Sequence, residues 1–290
     1  MLVLITCILL NVLVGVIFRY FGKYNIDLLQ AIVVNYFTCV ITASVSMGDF
    51  SYIADLPYKP WLIYAVIMGF VFMSIFRLIG KTVHHHGVMV ASTAQKLSMI
   101  TPVIVAILYF NEELTILKFI GLICSLIAVF FISFNSKEND SGVKKSSIFI
   151  MFLPLFTWLG SSFVDLSLFL VNKMNIAPNE GMIFTSTLFL SAGILGFFIL
   201  VYQSIFKSEN LNIKSLSSGI VLGIPNFFSI YLVIVLLEDG WQGSVVFPIM
   251  NVGIILISAM LGYFIFGEKV DRNKAMGLAL ALIAIIVLSL

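Results

Sequence analysis

Ten runs of apolar residues, each about as long as one crossing of a bilayer, leave this chain few structures to choose from. They cover approximately 2–18, 28–47, 61–80, 87–110, 115–134, 147–171, 181–205, 216–237, 242–266 and 272–290. A helix rises about 1.5 Å per residue, so about 20 apolar residues cross a hydrocarbon layer of about 30 Å. Composition agrees, with 61% hydrophobic and 10% charged residues and a mean hydropathy of +1.12. Average soluble domains are nearer 45–50% apolar and about 25% charged. The expectation is an all-α integral membrane protein of ten transmembrane helices, with nearly the whole chain in the bilayer. The first run begins at Met1 with no charged leader or small-residue cleavage pattern, and is expected to be a retained helix.

The chain also repeats itself. Phe110, Glu112, Lys118, Gly121, Leu122 and Ala128 recur 156 residues later as Phe266, Glu268, Lys274, Gly277, Leu278 and Ala284. A fainter match at 150 residues pairs Lys23, Asn25 and Ile26 with Lys173, Asn175 and Ile176. Five runs precede the polar stretch "NSKENDSGVKKSS" and five follow it. An odd number of crossings separates the copies, so they enter the membrane from opposite sides as two inverted five-helix repeats. The expected organisation is residues 1–134, a polar linker at 135–146, and residues 147–290.

Several function classes are disfavoured, an integral-membrane enzyme acting on lipid-linked substrates remaining as the least expected alternative. A formal charge of +2 provides no basic stripe for nucleic acid. No G-x-x-x-x-G-K-[ST] signature is present, and no H-E-x-x-H or grouped carboxylates suit an enzyme acting on lipid-linked substrates. Cys7, Cys39 and Cys124 lie singly in apolar runs, as small buried hydrophobes do. No cofactor or metal is expected. Most of the 16 Lys+Arg sit in odd-numbered connections, against Lys59, Lys118 and Lys173 in even ones. By the positive-inside rule this places both termini outside the cytoplasm.

Paired Phe-x-Glu turns at the ends of the fourth and ninth runs, each followed nine residues after the Glu by Gly121 or Gly277, resemble the EamA family of the drug/metabolite transporter superfamily. Trp158-Leu159-Gly160-Ser161-Ser162-Phe163 is similar to a Trp-Gly-Ser-x-Phe pattern of those repeats, with one residue inserted. The resemblance implies a metabolite carrier, and cytoplasmic termini, opposite to the charge count; sidedness stays open. The functional expectation is a secondary transporter of a small polar metabolite, an amino acid or related compound, acting by alternating access in a bacterial inner membrane. Export and proton or ion coupling stay open. A lipid or multidrug flippase is the alternative.

Lys96 is the first candidate for substrate binding, because it falls near mid-membrane, where an ionisable group costs at least about 2.5–3.5 kcal/mol unless a cavity or partner receives it. Snorkelling is the plain alternative. Gln95 aligns with Asn251 at the 156-residue offset, offering one amide from each half to a substrate or to helix packing. Asp165, the other intramembrane charge, fits a salt bridge to Lys96, a proton carrier or a substrate ammonium. Trp158 and Asn226 are candidate pocket residues. Glu112 and Glu268 read as structural marks of the turns, and Gly121 and Gly277 as packing contacts. Pro102, Pro154, Pro225 and Pro248 are expected to interrupt helices. His84, His85 and His86 are expected in a solvated loop joining the third and fourth runs.

Overall fold

The computed structural model describes residues 1–133, 150, 152–207, 211–266 and 272–289. The polar linker 135–146 and Glu268 lie outside the described residues. The elements are α1 (Leu2–Lys23), α2 (Leu28–Met47), α3 (Tyr52–Asp55) with a 3-10 turn (Leu56–Tyr58), α4 (Leu62–Leu97), α5 (Ile100–Leu108), α6 (Ile116–Ser133), α7 (Leu153–Lys173), α8 (Gly181–Lys207), α9 (Ile213–Glu238), α10 (Gly243–Phe266) and α11 (Arg272–Ser289). The described residues contain helices and no strands.

Seven of these helices are long and apolar enough to cross a membrane, and Ala94–Leu108, Ile116–Val129 and Ala275–Leu288 are shorter apolar stretches. The protein is therefore a multi-pass membrane protein. α1 shows the solvent it was built for. Leu4, Cys7, Ile8 and Val12 are buried, while Leu2, Ile5, Leu9 and Leu13 form an exposed stripe as apolar as the buried one. A helix that is hydrophobic all round suits lipid rather than water.

The faint repeat is a stop signal. Asn25 and Asn175 take the left-handed conformation, at φ 50° and 49°. In both places the next N–H reaches back five residues, from Ile26 to the Phe21 carbonyl and from Ile176 to the Val171 carbonyl, each at 3.0 Å. This is the Schellman termination. Asn tolerates positive φ better than most side chains, and Lys23 and Lys173 complement the negative ends of α1 and α7.

The chain divides into two compact units, one of residues 1–74 and 170–236, the other of 75–169 and 237–290. Each draws helices from both sides of the linker. In the first unit, glycines set two close approaches. Gly69 lies against the Leu188 carbonyl, Ser191 and Ala192 of α8, while Gly219 and Gly223 of α9 lie against Ala31, Asn35 and Thr38 of α2. A Cβ at Gly219 would fall 2.2 Å from the Ala31 carbonyl oxygen, so no larger residue fits there. Phe189 is the aromatic hub, with ring centroids 5.7 Å from Tyr36, 6.2 Å from Phe72 and 6.4 Å from Phe227.

Two polar latches close the ends of this unit. The Gln30 side chain accepts the Asn212 backbone N–H at 2.8 Å. The Glu180 carboxylate, 150 residues on from Gln30, accepts the Trp61 indole N–H at 2.7 Å and pairs with the Lys59 ammonium. Burial pushes the Glu180 carboxyl up, but the Lys59 and Trp61 hydrogen bonds outweigh it and hold it below its ordinary 4.5. A depressed carboxylate contributes stability that is present above its unfolded value and is lost as pH falls through its folded one. Thermal unfolding of the wild type should therefore lose stability as acidification proceeds below pH 4.5 in a way that Glu180→Gln does not; parallel acid profiles would remove the latch from the account.

In the second unit α6 and α11 run side by side. Gly121 admits Leu288, and Ala128, Val252 and Ala281 form a small core shared with α10. Glu112, 8% exposed, accepts the N–H groups of Gly243 and Ser244 at 3.3 and 3.1 Å and the Ser244 hydroxyl at 2.7 Å. It caps α10 rather than the helix that follows it.

The junction expected at His84–His86 is different. Their backbone is helical, within α4, instead of forming a loop. At about 1.5 Å per residue, α4 would be about 54 Å long if straight, well beyond one hydrocarbon layer. It is not straight. Thr157 and Trp158, adjacent on α7, bond to Thr82 and Leu97, which a straight helix would hold about 22 Å apart, farther than these side chains reach. α4 bends between them, and the two expected runs are its arms. The second half breaks at the corresponding place because Gly240 adopts φ 86°. At the 156-residue offset the first half has His84 there, which such a φ would strain.

Candidate functional site

The second unit contains a gap between two helices. α4 ends at Leu97 and α5 begins at Ile100, with Ser98 and Met99 in a turn. Pro102 is the cause. It has no N–H to give the carbonyl four residues back, Ser98, and its ring crowds that oxygen. The Ser98 carbonyl is bonded instead by the Thr101 N–H at 3.1 Å, and the Gln95 carbonyl by the Ser98 N–H at 3.2 Å.

The other prolines behave differently from the expectation. Pro154 occupies the second position of α7, where a missing N–H costs nothing, and Pro225 and Pro248 sit inside helices that continue through them. Residue 258, aligned with Pro102, is Ser, so α10 has no matching gap.

α7 covers the gap with polar groups. The Trp158 indole N–H donates to the Leu97 carbonyl at 3.3 Å. The Ser98 hydroxyl lies 2.5 Å from an Asp165 carboxylate oxygen and 2.5 Å from the Gln95 carbonyl. Lys96, in the last turn of α4, stands beside the gap within electrostatic range of the Asp165 carboxylate. The structure thus brings together Gln95, Lys96, Trp158 and Asp165. Lys96 and Asp165 are both only partly exposed.

Two candidates are placed elsewhere. Asn251 lies in the same unit, but its amide donates to the Phe247 carbonyl of its own helix at 3.1 Å. Asn226 belongs to the first unit, where its amide donates to the Asn35 side chain at 3.2 Å. Sequence reasoning missed Ser98, although it is the residue a proline at 102 displaces, and Asn35, an amide alone in the middle of α2. It also quoted Ser162 only as part of a motif.

Pro102→Ala should let residue 102 donate to Ser98, fuse α4 with α5 and withdraw Leu97 and Ser98 from α7. Stability should change by no more than about 1 kcal/mol, because the helix bond gained at Ser98 is offset by the contacts to α7 that are lost. Melting curves and tryptophan fluorescence on the same preparation check this; an indole signal unchanged from the wild type would mean that Pro102 does not hold the gap open.

No family model matches the chain. An uncharacterized protein of Haemophilus influenzae is 29% identical to it over 291 residues, covering 97% of this chain and 95% of its own. A crystal structure superposes with a TM-score of 0.76 over 100% of this chain and 97% of the other, at 14% identity. That likeness is one of fold alone, and it extends over the full length described by the two arrays of helices.

Proposed function

We propose that the chain is a secondary carrier of the EamA type in the drug/metabolite transporter superfamily. It would move a small polar metabolite, an amino acid or related compound, by alternating access across a bacterial inner membrane. Its ten spans would form two inverted halves, 1–134 and 147–290. Support for the duplication comes from the two Schellman ends, the two latches and the crossed packing of α4 on α8 and α9 on α2. A twofold exchange of halves generates this pattern of contacts.

The observation that carries a transport function is the gap at Ser98–Met99, with Lys96 and Asp165 beside it. A charged pair and interrupted backbone inside an apolar protein are costly features, retained in membranes where ions or polar solutes are handled. Lys96 and Gln95 are the proposed substrate contacts. Trp158 and Asp165 complete the polar surroundings, and Asn251, whose amide nitrogen is bonded to its own helix, is the counterpart of Gln95 in the second half.

A thermal-shift screen of amino acids, nucleobases, sugars and cationic drugs should find a polar stabilising ligand whose effect disappears in Lys96→Ala and weakens in Gln95→Ala. Uptake of that ligand into proteoliposomes completes the test. Stabilisation by apolar drugs alone would turn the reading toward a flippase. Ligand shifts unchanged in both variants would remove these residues from the site.

A further inference from the structure

Ser162 presents an unmet requirement. The residue is 4% exposed, and its hydroxyl is the one buried side-chain N or O without a hydrogen-bond partner among the described residues. Trp158, Ser162 and Asp165 follow the i, i+4, i+7 spacing of one helix face. Both flanking members of that face touch the gap, Trp158 through the Leu97 carbonyl and Asp165 through Ser98. Ser162 therefore lies on the same face of α7, between the two residues that meet the gap.

We propose that this gap holds a small alkali cation, ligated by the Asp165 carboxylate, the Ser98 and Ser162 hydroxyls, and backbone carbonyls of the interrupted turn. The oxygen inventory favours a metal cation over a proton: a proton needs one base, whereas two neutral hydroxyls and the second lone pairs of carbonyls such as Leu97 and Ser98 suit a cation stripped of water. A single carboxylate provides too little charge for a divalent ion in apolar surroundings. Lys96 is the internal competitor. While its ammonium neutralises Asp165 the cation is disfavoured; a bound cation frees Lys96 for an anionic group of the solute. Only this last step, coupling, rests on the carrier reading.

Full-length protein in detergent is melted in NaCl and in choline chloride at equal ionic strength. NaCl should raise the melting temperature of the wild type. Ser162→Ala should weaken the apparent Na+ affinity about tenfold, and Asp165→Asn should abolish the response. Lys96→Ala should respond more strongly than the wild type, because Na+ replaces the missing ammonium. If Asp165→Asn does not fold, the wild type and Ser162→Ala suffice. Equal melting in the two salts, an undiminished response in Ser162→Ala, or stabilisation that follows pH and not Na+ would overturn the cation site. Proteoliposomes separate the two claims: metabolite uptake indifferent to Na+, in protein that shows no Na+ shift, rejects the cation site alone, whereas a Na+ shift without any metabolite flux rejects the carrier alone.

Discussion

Lys96→Met and Asp165→Leu should each destabilise the protein, by about 1–3 kcal/mol, while the double variant should recover part of the loss. Each single change leaves one charge in apolar surroundings without its partner, and desolvation of that charge is then uncompensated. Removing both restores neutrality with side chains of similar volume. The double variant should nevertheless carry no substrate, since stability returns without the ammonium or the carboxylate. Unfolding free energies for the four members of the cycle, with uptake measured on each, test the pair. Strictly additive losses would show that Lys96 and Asp165 do not interact.

This cycle targets the part of the site that was legible in the sequence. An ionisable residue inside an apolar run stands out because of its solvation cost, and both Lys96 and Asp165 were found that way. Helix positions were legible for a related reason: in lipid every backbone group must be bonded internally, so an apolar run of sufficient length is a helix. α2 spans Leu28–Met47 as the apolar run did.

Partnerships were less legible, because they depend on which helices meet. Glu112 lies beside α6 in sequence but caps α10, more than a hundred residues away. The amide of Asn226 is donated to Asn35, 191 residues away, a pairing that no spacing within α9 points to. The bend in α4 was hidden for another reason. Neither His84 nor its neighbours forbid a helix, so only the contacts of Thr82 and Leu97 reveal that the axis turns. The gap at Ser98 was readable in principle, since the proline rule points four residues back from Pro102. It stood out once the four prolines could be told apart by position.

Glu112 supplies the second large expected effect, and it separates a structural acid from a coupling acid. Three donors at the start of α10 converge on its carboxylate, which also faces the positive end of that helix. Glu112→Ala strands two backbone N–H groups and a hydroxyl in a buried setting. Since a bond to a charged acceptor contributes about 1.5–3 kcal/mol, the net loss should be about 3 kcal/mol. Glu112→Gln keeps an acceptor without the charge and should lose about half of that. Glu113→Ala, at an exposed neighbouring position, should be nearly neutral. Transport per folded molecule should be unchanged in Glu112→Gln, measured by uptake normalised to correctly folded protein. A Glu112→Gln protein that melts normally but no longer couples uptake to an ion gradient would make Glu112 a working acid. It would also shift attention from Lys96 and Asp165 to the repeated turn that Glu112 and Glu268 mark.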